Sequence, residues 1–229
     1  MVRPFRTAFT GTDATRGDRV STVAGTRWEQ RDRQRLDILS AARQRLTDGG
    51  YAALTTPDIA ADAGVSEDTI HVFFRGTEDL FATLLAQRLD DFHAEIAPAC
   101  RVAETGDQVI ATIATAYLDV YRVFGRELNI WSMVLGEHPS ANDIARPLAG
   151  AAQRVLNTLG AALTRTAKRP VAPGEMQLAL PFVWATVTGL AEHVTGGRQV
   201  LHPCNWEQLL DFTARTVIAG LDAMRTPEE

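Results

Sequence analysis

Lysine is almost missing from this chain of 229 residues, in which Lys168 is the only lysine among 23 basic residues. Cysteine is also scarce, since only Cys100 and Cys204 occur, and their spacing matches neither a metal site nor a disulfide framework. No apolar run approaches the length of a membrane span, and the amino terminus lacks the apolar core of a signal peptide. We therefore expect a cytoplasmic protein that is not embedded in a membrane and that has no bound metal or cofactor.

Positive charge is concentrated at the amino terminus, although the net charge is −5. Residues 1–45 hold ten arginines and five acidic residues, whereas residues 46–80 hold one arginine and seven acidic residues. A basic segment of this kind can supply the sequence-independent attraction to phosphates that duplex DNA binding needs. Because residues 1–26 show no apolar periodicity, we predict a disordered leader. It either is a solvated tail or lies in the DNA minor groove as an arm.

The segment 55–74 predicts two short helices joined by a tight turn. Thr56-Pro57 is typical of a helix start, because a hydroxyl can cap amides and proline suits the first helical position. Gly64 stands where the chain must leave the first helix with an unusual backbone angle, and Ser66 can then cap the second helix. The apolar residues of the second helix, which are predicted to face inward, are Ile70, Phe73 and Phe74. This pattern predicts a helix-turn-helix, in which the second helix reads DNA.

The context of this motif, roughly residues 31–92, closely resembles the DNA-binding domain of the TetR family of bacterial transcriptional regulators. The matching residues are Ile38, Ala41-Ala42, Gly50, Thr55-Thr56, Asp58-Ile59-Ala60, Ala63-Gly64-Val65-Ser66, Thr69-Ile70, Phe74, Glu78 and Leu80. The resemblance implies an all-α chain with three parts. These are the leader at 1–26, a three-helix DNA-binding domain at 27–78 and a larger ligand-binding and dimerisation domain at 79–229.

The chain departs from the family pattern at three positions near the motif. Asp68 replaces a usual small residue, His71 a usual tyrosine and Thr77 a usual lysine, and the last two commonly contact phosphates in the family. Glu67 and Asp68 also place two carboxylates on the first turn of the reading helix. One explanation is that they stabilise the helix, because the positive end of its dipole attracts negative charge. For Asp68 a second explanation is equally open, namely acceptance of a hydrogen bond from a cytosine amino group.

The resemblance also assigns candidate DNA contacts. Thr56 and Ser66 are expected on phosphates, with Thr69 and His71 nearer the base edges. The complete set predicted to contact DNA is Arg27, Arg31, Thr56, Ser66, Asp68, Thr69, His71 and Thr77. The expected partner is a palindromic double-stranded operator bound by a homodimer.

Beyond residue 78 we expect helices near 78–96, 107–124, 127–136, 141–167, 174–195 and 205–224, punctuated by glycine and proline. In the family the last two helices form the dimer interface. The residues predicted for dimerisation are Val183, Val187, Leu190, Phe212, Val217 and Leu221. The resemblance implies that the helix beginning at Thr77 links the two domains, and in this family the region between this linker helix and the dimer helices holds the inducer. The candidate ligand-binding residues are Phe92, His93, Tyr117, Tyr121, Trp131, Met133, Val134 and Trp184.

These patterns favour a ligand-responsive transcriptional repressor whose inducer is a small, mostly apolar molecule. The alternative is a TetR-fold ligand-binding or protein-interaction module whose DNA binding is weakened or lost, because the usual lysine and tyrosine are absent. No nucleophile motif, glycine-rich phosphate loop or metal spacing accompanies these patterns, so we do not expect an enzyme.

Overall fold

The computed structural model describes the backbone of residues 17–137, 141–197, 200 and 204–223, and the side chains of these ranges except residues 17–26, 126–137 and 141–145. Within these ranges all regular secondary structure is helical, which confirms the all-α prediction. The helices are α1 (Gly17–Gly49), α2 (Thr56–Ala63), α3 (Glu67–Phe73), α4 (Thr77–Val102), α5 (Gly106–Glu137), α6 (Ala141–Thr166), α7 (Pro173–Thr195) and α8 (Trp206–Ala223), with a 3-10 turn at Tyr51–Ala53.

The first helix is 33 residues long and begins at Gly17, ten residues before the position at which we expected order to start. The backbone of residues 17–26, the second part of the expected leader, continues the same helix. Gly17 stands at the start of the helix and Gly25 is the only glycine inside that stretch, where it costs only about 1 kcal/mol.

The helix-turn-helix is built from local signals that the sequence displays. Gly64 adopts φ 65° and ψ 33°, the left-handed conformation expected for it, and Ser66 caps α3 as predicted. The cap of α2 differs by one residue from the prediction. Thr55 is the capping residue, and its hydroxyl accepts a hydrogen bond from the backbone N–H of Asp58, so that Thr56 is already helical.

A small apolar core holds α1, α2 and α3 together. Its buried residues are Ile38, Leu39, Ala42, Leu46, Leu54, Ile59, Ala60, Ile70 and Phe74. The inward orientation predicted for Ile70 and Phe74 is confirmed, whereas Phe73 is half-buried. Packing this face against α1 leaves the opposite side of α3 exposed.

The predicted break between two helices near Gly125 was wrong, because α5 runs without interruption from Gly106 to Glu137. Gly125 is buried inside this helix, and a Cβ atom at this position would collide with the ring of Tyr121. The glycine therefore permits close packing of an aromatic ring. It does not end the helix.

The helix α4 begins at Thr77, directly after the helix-turn-helix, and runs to Val102 among the later helices. Side chains of α6 contact α4 at three levels, and each contact joins residues 64 or 65 apart in sequence. Arg154 pairs with Asp90, Thr158 is hydrogen-bonded to His93 at 2.9 Å, and Arg165 donates to the carbonyl oxygen of Cys100 at 2.7 Å. The constant offset shows that α4 and α6 run parallel along the larger domain.

Candidate DNA-binding surface and ligand region

The reading helix α3 begins with a cap that uses two of the predicted DNA contacts. The Oγ atom of Ser66 accepts a hydrogen bond from the backbone N–H of Thr69 at 3.2 Å, and it lies 2.9 Å from the Thr69 hydroxyl. Both hydroxyls are therefore oriented by the helix start. Each hydroxyl has one donor and two acceptor positions, and the positions that the cap does not use remain for a partner.

The outward face of α3 lies opposite the fully buried Ile70. Asp68 and Val72, four residues apart, occupy this face together, and His71 and Glu67 flank it. All four are exposed, so the structure places the predicted contacts Asp68 and His71 on one accessible surface. Val72 belongs to the same surface and was not among the predicted contacts.

Arginines of α1 lie against the end of α3. The guanidinium carbon of Arg31 is 5.8 Å from the centre of the Phe73 ring, and that of Arg35 is 5.4 Å from the centre of the Phe74 ring. Because Arg27, Arg31 and Arg35 recur every four residues, they form one stripe along α1. The helix α3 contains no arginine or lysine, but Arg31 and Arg35 of α1 bring positive charge to its carboxyl end. Arg35 was not among the predicted DNA contacts, although the sequence shows that it follows Arg31 by four residues, as Arg31 follows Arg27.

A fourth arginine of α1 is engaged within the domain. Arg45 makes two hydrogen bonds to the carboxylate of Asp62, at 2.5 and 3.0 Å, and lies 3.6 Å from Asp58. This contact holds the pKa of Asp62 below its usual range, chiefly through the hydrogen bond from Arg45. Arg45 therefore links α1 to α2 and is not part of the stripe of Arg27, Arg31 and Arg35.

Two of the other predicted DNA contacts sit at helix starts, and the third lies within α1. Thr56 opens α2 and Thr77 opens α4, and both are half-buried. Arg27 is exposed near the middle of α1. The structure thus brings the α3 residues and the α1 arginines together, with Thr56 and Thr77 at the amino ends of the neighbouring helices.

Aromatic side chains of the predicted ligand region form one packed cluster. The ring of Tyr117 lies 4.8 Å from Trp184, 5.9 Å from Phe92 and 6.1 Å from Tyr121, measured between ring centres. Burial raises the pKa of Tyr117 to about 12, against a hydrogen bond with Thr188 that lowers it. The cluster joins α4, α5 and α7 at the centre of the larger domain.

The other predicted ligand residues are placed differently. His93 is hydrogen-bonded to Thr158 of α6, and the side chains of Trp131, Met133 and Val134 lie outside the described residues.

A groove of about 900 Å³ opens beside Tyr121, between the end of α1, the 3-10 turn, α5 and the end of α7. A much smaller cavity of about 40 Å³ lies at the far end of the domain, among α6, α7 and α8. Phe92, His93, Tyr117 and Trp184 line neither of these two spaces.

Most residues predicted for dimerisation face the interior of the protomer. Val183, Val187, Leu190 and Val217 are buried, and Leu221 is half-buried. Phe212 is 64% exposed. The apolar residues that α7 and α8 present to the outside are Leu178, Phe182 and Phe212.

In the parts of the chain that the structure describes, no helix is long and apolar enough to cross a membrane. The same residues include no group of three or more His, Cys, Asp or Glu side chains that could hold a metal ion.

Comparison with known proteins agrees with this architecture. The family model of the TetR family of bacterial regulatory proteins matches residues 38–84. A search of curated protein sequences gave no match.

Several solved structures share the fold over most of their length. The transcriptional regulator FadR from Bacillus subtilis, solved in complex with stearoyl-CoA, is 19% identical with a TM-score of 0.53, and the match covers 82% of this chain and 97% of the FadR chain. A transcriptional regulator from Rhodococcus sp. RHA1 is 19% identical with a TM-score of 0.61, covering 82% and 98%. A TetR-family regulator from Streptomyces coelicolor is 18% identical with a TM-score of 0.55, covering 82% and 99%.

At these identities the likeness to the solved structures shows a shared fold. The family itself is indicated by the match at residues 38–84, which contains the whole helix-turn-helix from Thr55 to Phe74. Residues 38–84 therefore match the amino-terminal domain of the TetR family of bacterial regulatory proteins, and the chain shares its fold with the solved regulators.

Proposed function

We propose that this protein is a ligand-responsive transcriptional repressor. It binds a palindromic operator as a homodimer and leaves the DNA when a small, mostly apolar molecule occupies the larger domain. The observation that carries the proposal is the joint placement of the exposed face of α3 and the arginine stripe of α1 within a TetR-family DNA-binding domain.

The DNA-binding part of the proposal divides the work between two helices. Arg27, Arg31 and Arg35 supply the attraction to phosphates, which accounts for most of the affinity of such proteins. The outward residues of α3 face the major groove, where base edges are read. The acidic residues of α3 therefore do not prevent DNA binding, because the compensating charge comes from α1.

A dimer is supported by the requirements of operator recognition. One helix-turn-helix makes few contacts, and a two-fold dimer presents two reading helices to successive major grooves. Leu178, Phe182 and Phe212 supply exposed apolar surface on α7 and α8 for such an interface. The fold likeness to TetR-family regulators supports the same arrangement.

The ligand response is supported by the aromatic cluster around Tyr117 and by the position of α4. An apolar ligand entering among these rings displaces helices that contact α4, which carries the DNA-binding domain. Ligand binding lowers DNA affinity only if the ligand prefers the conformation with the wrong spacing of reading helices. FadR from Bacillus subtilis, solved with stearoyl-CoA, shows that this fold accommodates a ligand with a long apolar chain.

The test is a mobility-shift and footprinting assay with the full-length protein and the DNA upstream of its own gene. We expect protection of two half-sites one helical turn apart, and a loss of binding when an inducing extract is added. Failure to bind this DNA at low salt, with and without extracts, contradicts the proposal.

The second candidate is a TetR-fold binding module that no longer recognises DNA, and it is favoured by the exposed carboxylates of Glu67 and Asp68 and by the uncharged Thr77. The double variant His71→Tyr and Thr77→Lys restores the side chains usual in the family. If wild type and double variant both fail to bind while native mass spectrometry shows a retained ligand, this second function is supported. If the double variant binds more tightly than a wild type that already binds, the repressor is supported.

A further inference from the structure

The helix α3 lacks the four types of side chain that pair with purines through two hydrogen bonds in the major groove. Its seven residues, Glu67–Phe73, include no arginine, lysine, asparagine or glutamine. Arginine and lysine read guanine, whereas asparagine and glutamine read adenine, in each case through the purine edge. The face opposite the buried Ile70 presents instead a carboxylate, from Asp68, and a branched apolar side chain, from Val72.

We propose that α3 reads pyrimidine edges. Val72 packs against the 5-methyl group of a thymine, and the carboxylate of Asp68 accepts a hydrogen bond from the N4 amino group of a cytosine. This inference rests on the proposed DNA-binding function and names the base class that the same surface recognises.

The exposure of Val72 supports the thymine contact. Its side chain is 63% exposed, on a helix whose other apolar residues pack inward. Seating it against a methyl group in the groove removes apolar surface of both partners from water.

The chemistry of Asp68 favours cytosine over adenine, although both bases carry an amino group in the major groove. An ionised carboxylate only accepts hydrogen bonds. In the major groove the amino group of adenine lies between two acceptors that repel a carboxylate, its own N7 and the O4 of the paired thymine, whereas the N4 group of cytosine has an acceptor on one side only, the O6 of the paired guanine. The repulsion between Asp68 and the phosphates is offset by the stripe of Arg27, Arg31 and Arg35 on α1.

The first test removes single methyl groups from the DNA. Full-length protein selects its preferred duplex from a random library, and each thymine of that duplex is then replaced in turn by deoxyuridine. At one position in each half-site we expect roughly a fourfold loss of affinity, the effect of removing one buried methyl group.

At that position the Val72→Ala variant should bind the thymine and deoxyuridine duplexes with equal affinity. At every other position its change in affinity on replacing thymine by deoxyuridine should equal that of wild type. Val102→Ala removes another exposed valine, at the end of α4, and should behave as wild type. The thymine contact is refuted if no position distinguishes Val72→Ala from wild type.

The second test changes the carboxylate. Selection with Asp68→Asn should replace one cytosine of the preferred half-site by adenine, because an asparagine amide pairs with adenine. Circular dichroism checks that the variant is folded. An unchanged cytosine preference in the folded variant overturns the role of Asp68.

These outcomes are separable from failure of the proposed function itself. If the protein selects a defined duplex, but neither removal of thymine methyl groups nor Asp68→Asn changes its binding, it recognises DNA through other contacts and pyrimidine readout is refuted. A protein that enriches no duplex at low salt refutes both DNA binding and pyrimidine readout.

Discussion

The guanidinium carbon of Arg31 lies 5.8 Å from the centre of the Phe73 ring, so that a cation of α1 rests on the last turn of α3. This contact couples the position of the positive charge to the position of the reading helix. A cation over an aromatic ring is stabilised by the ring quadrupole, by about 0.5–1 kcal/mol at an exposed site.

Replacing Arg31 by alanine should therefore weaken both folding and DNA binding. We expect the amino-terminal domain to lose about 0.5–1 kcal/mol of stability in chemical denaturation. The slope of log affinity against log salt should also become shallower by about 0.9 for each phosphate that the variant no longer neutralises. The control is Arg33→Ala, because Arg33 lies about 200° around α1 from Arg31 and should not affect stability. Equal effects of both substitutions on stability contradict the role assigned to the Phe73 contact.

Removal of residues 1–26 should weaken operator binding and flatten its salt dependence, because this segment carries four arginines and two aspartates. The expected reduction of the slope is up to about 0.9 for each arginine that neutralises a phosphate. Since the deletion also removes the first ten residues of α1, a full-length variant separates charge from helix length. In this control Arg3, Arg6, Arg16 and Arg19 are replaced by glutamine. An unchanged salt slope in both proteins means that the leader does not contact DNA.

Gly64→Ala tests the turn of the helix-turn-helix. Gly64 has φ 65°, and a side chain in the left-handed region costs roughly 1–2 kcal/mol. Gly174→Ala is the matched control, because an added Cβ atom meets open space there and the backbone has no positive φ. We expect the control to change stability by less than about 0.5 kcal/mol in chemical denaturation. Similar losses for the two variants are incompatible with strain at the turn.

The ion pair of Glu175 and Arg169 should make stability depend on acidity. Two hydrogen bonds from Arg169, at 2.9 and 3.0 Å, and one from the backbone N–H of Ala172 lower the pKa of Glu175. Because the folded pKa lies below the unfolded value of about 4.3, the contribution is fully present above that pH. It is lost as the pH falls through the folded pKa.

The measurement compares wild type with Glu175→Gln in denaturation at a series of pH values. The difference in unfolding free energy should be constant near neutrality and should shrink below about pH 4.3. A difference that stays constant down to about pH 3 argues against a lowered pKa at Glu175.

Local sequence was sufficient for much of the DNA-binding domain. The roles of Gly64 and Ser66 follow from backbone freedom and hydroxyl capping, which act within a few residues. The one-residue error at the cap of α2 has the same origin, since Thr55 and Thr56 offer the same hydroxyl. Tertiary packing was needed to explain Gly125, which accommodates the ring of Tyr121 inside a continuous helix.

Sequence alone therefore determined the TetR-type helix-turn-helix and the excess of arginine near the amino terminus, because motif spacing and charge are properties of the chain itself. The tertiary structure decided which residues are available to partners. It buried Val183, Val187 and Leu190 within the protomer, and it set Arg31 and Arg35 against the end of α3. An apolar or basic stripe does not specify its neighbour, since that depends on which distant helices pack against it.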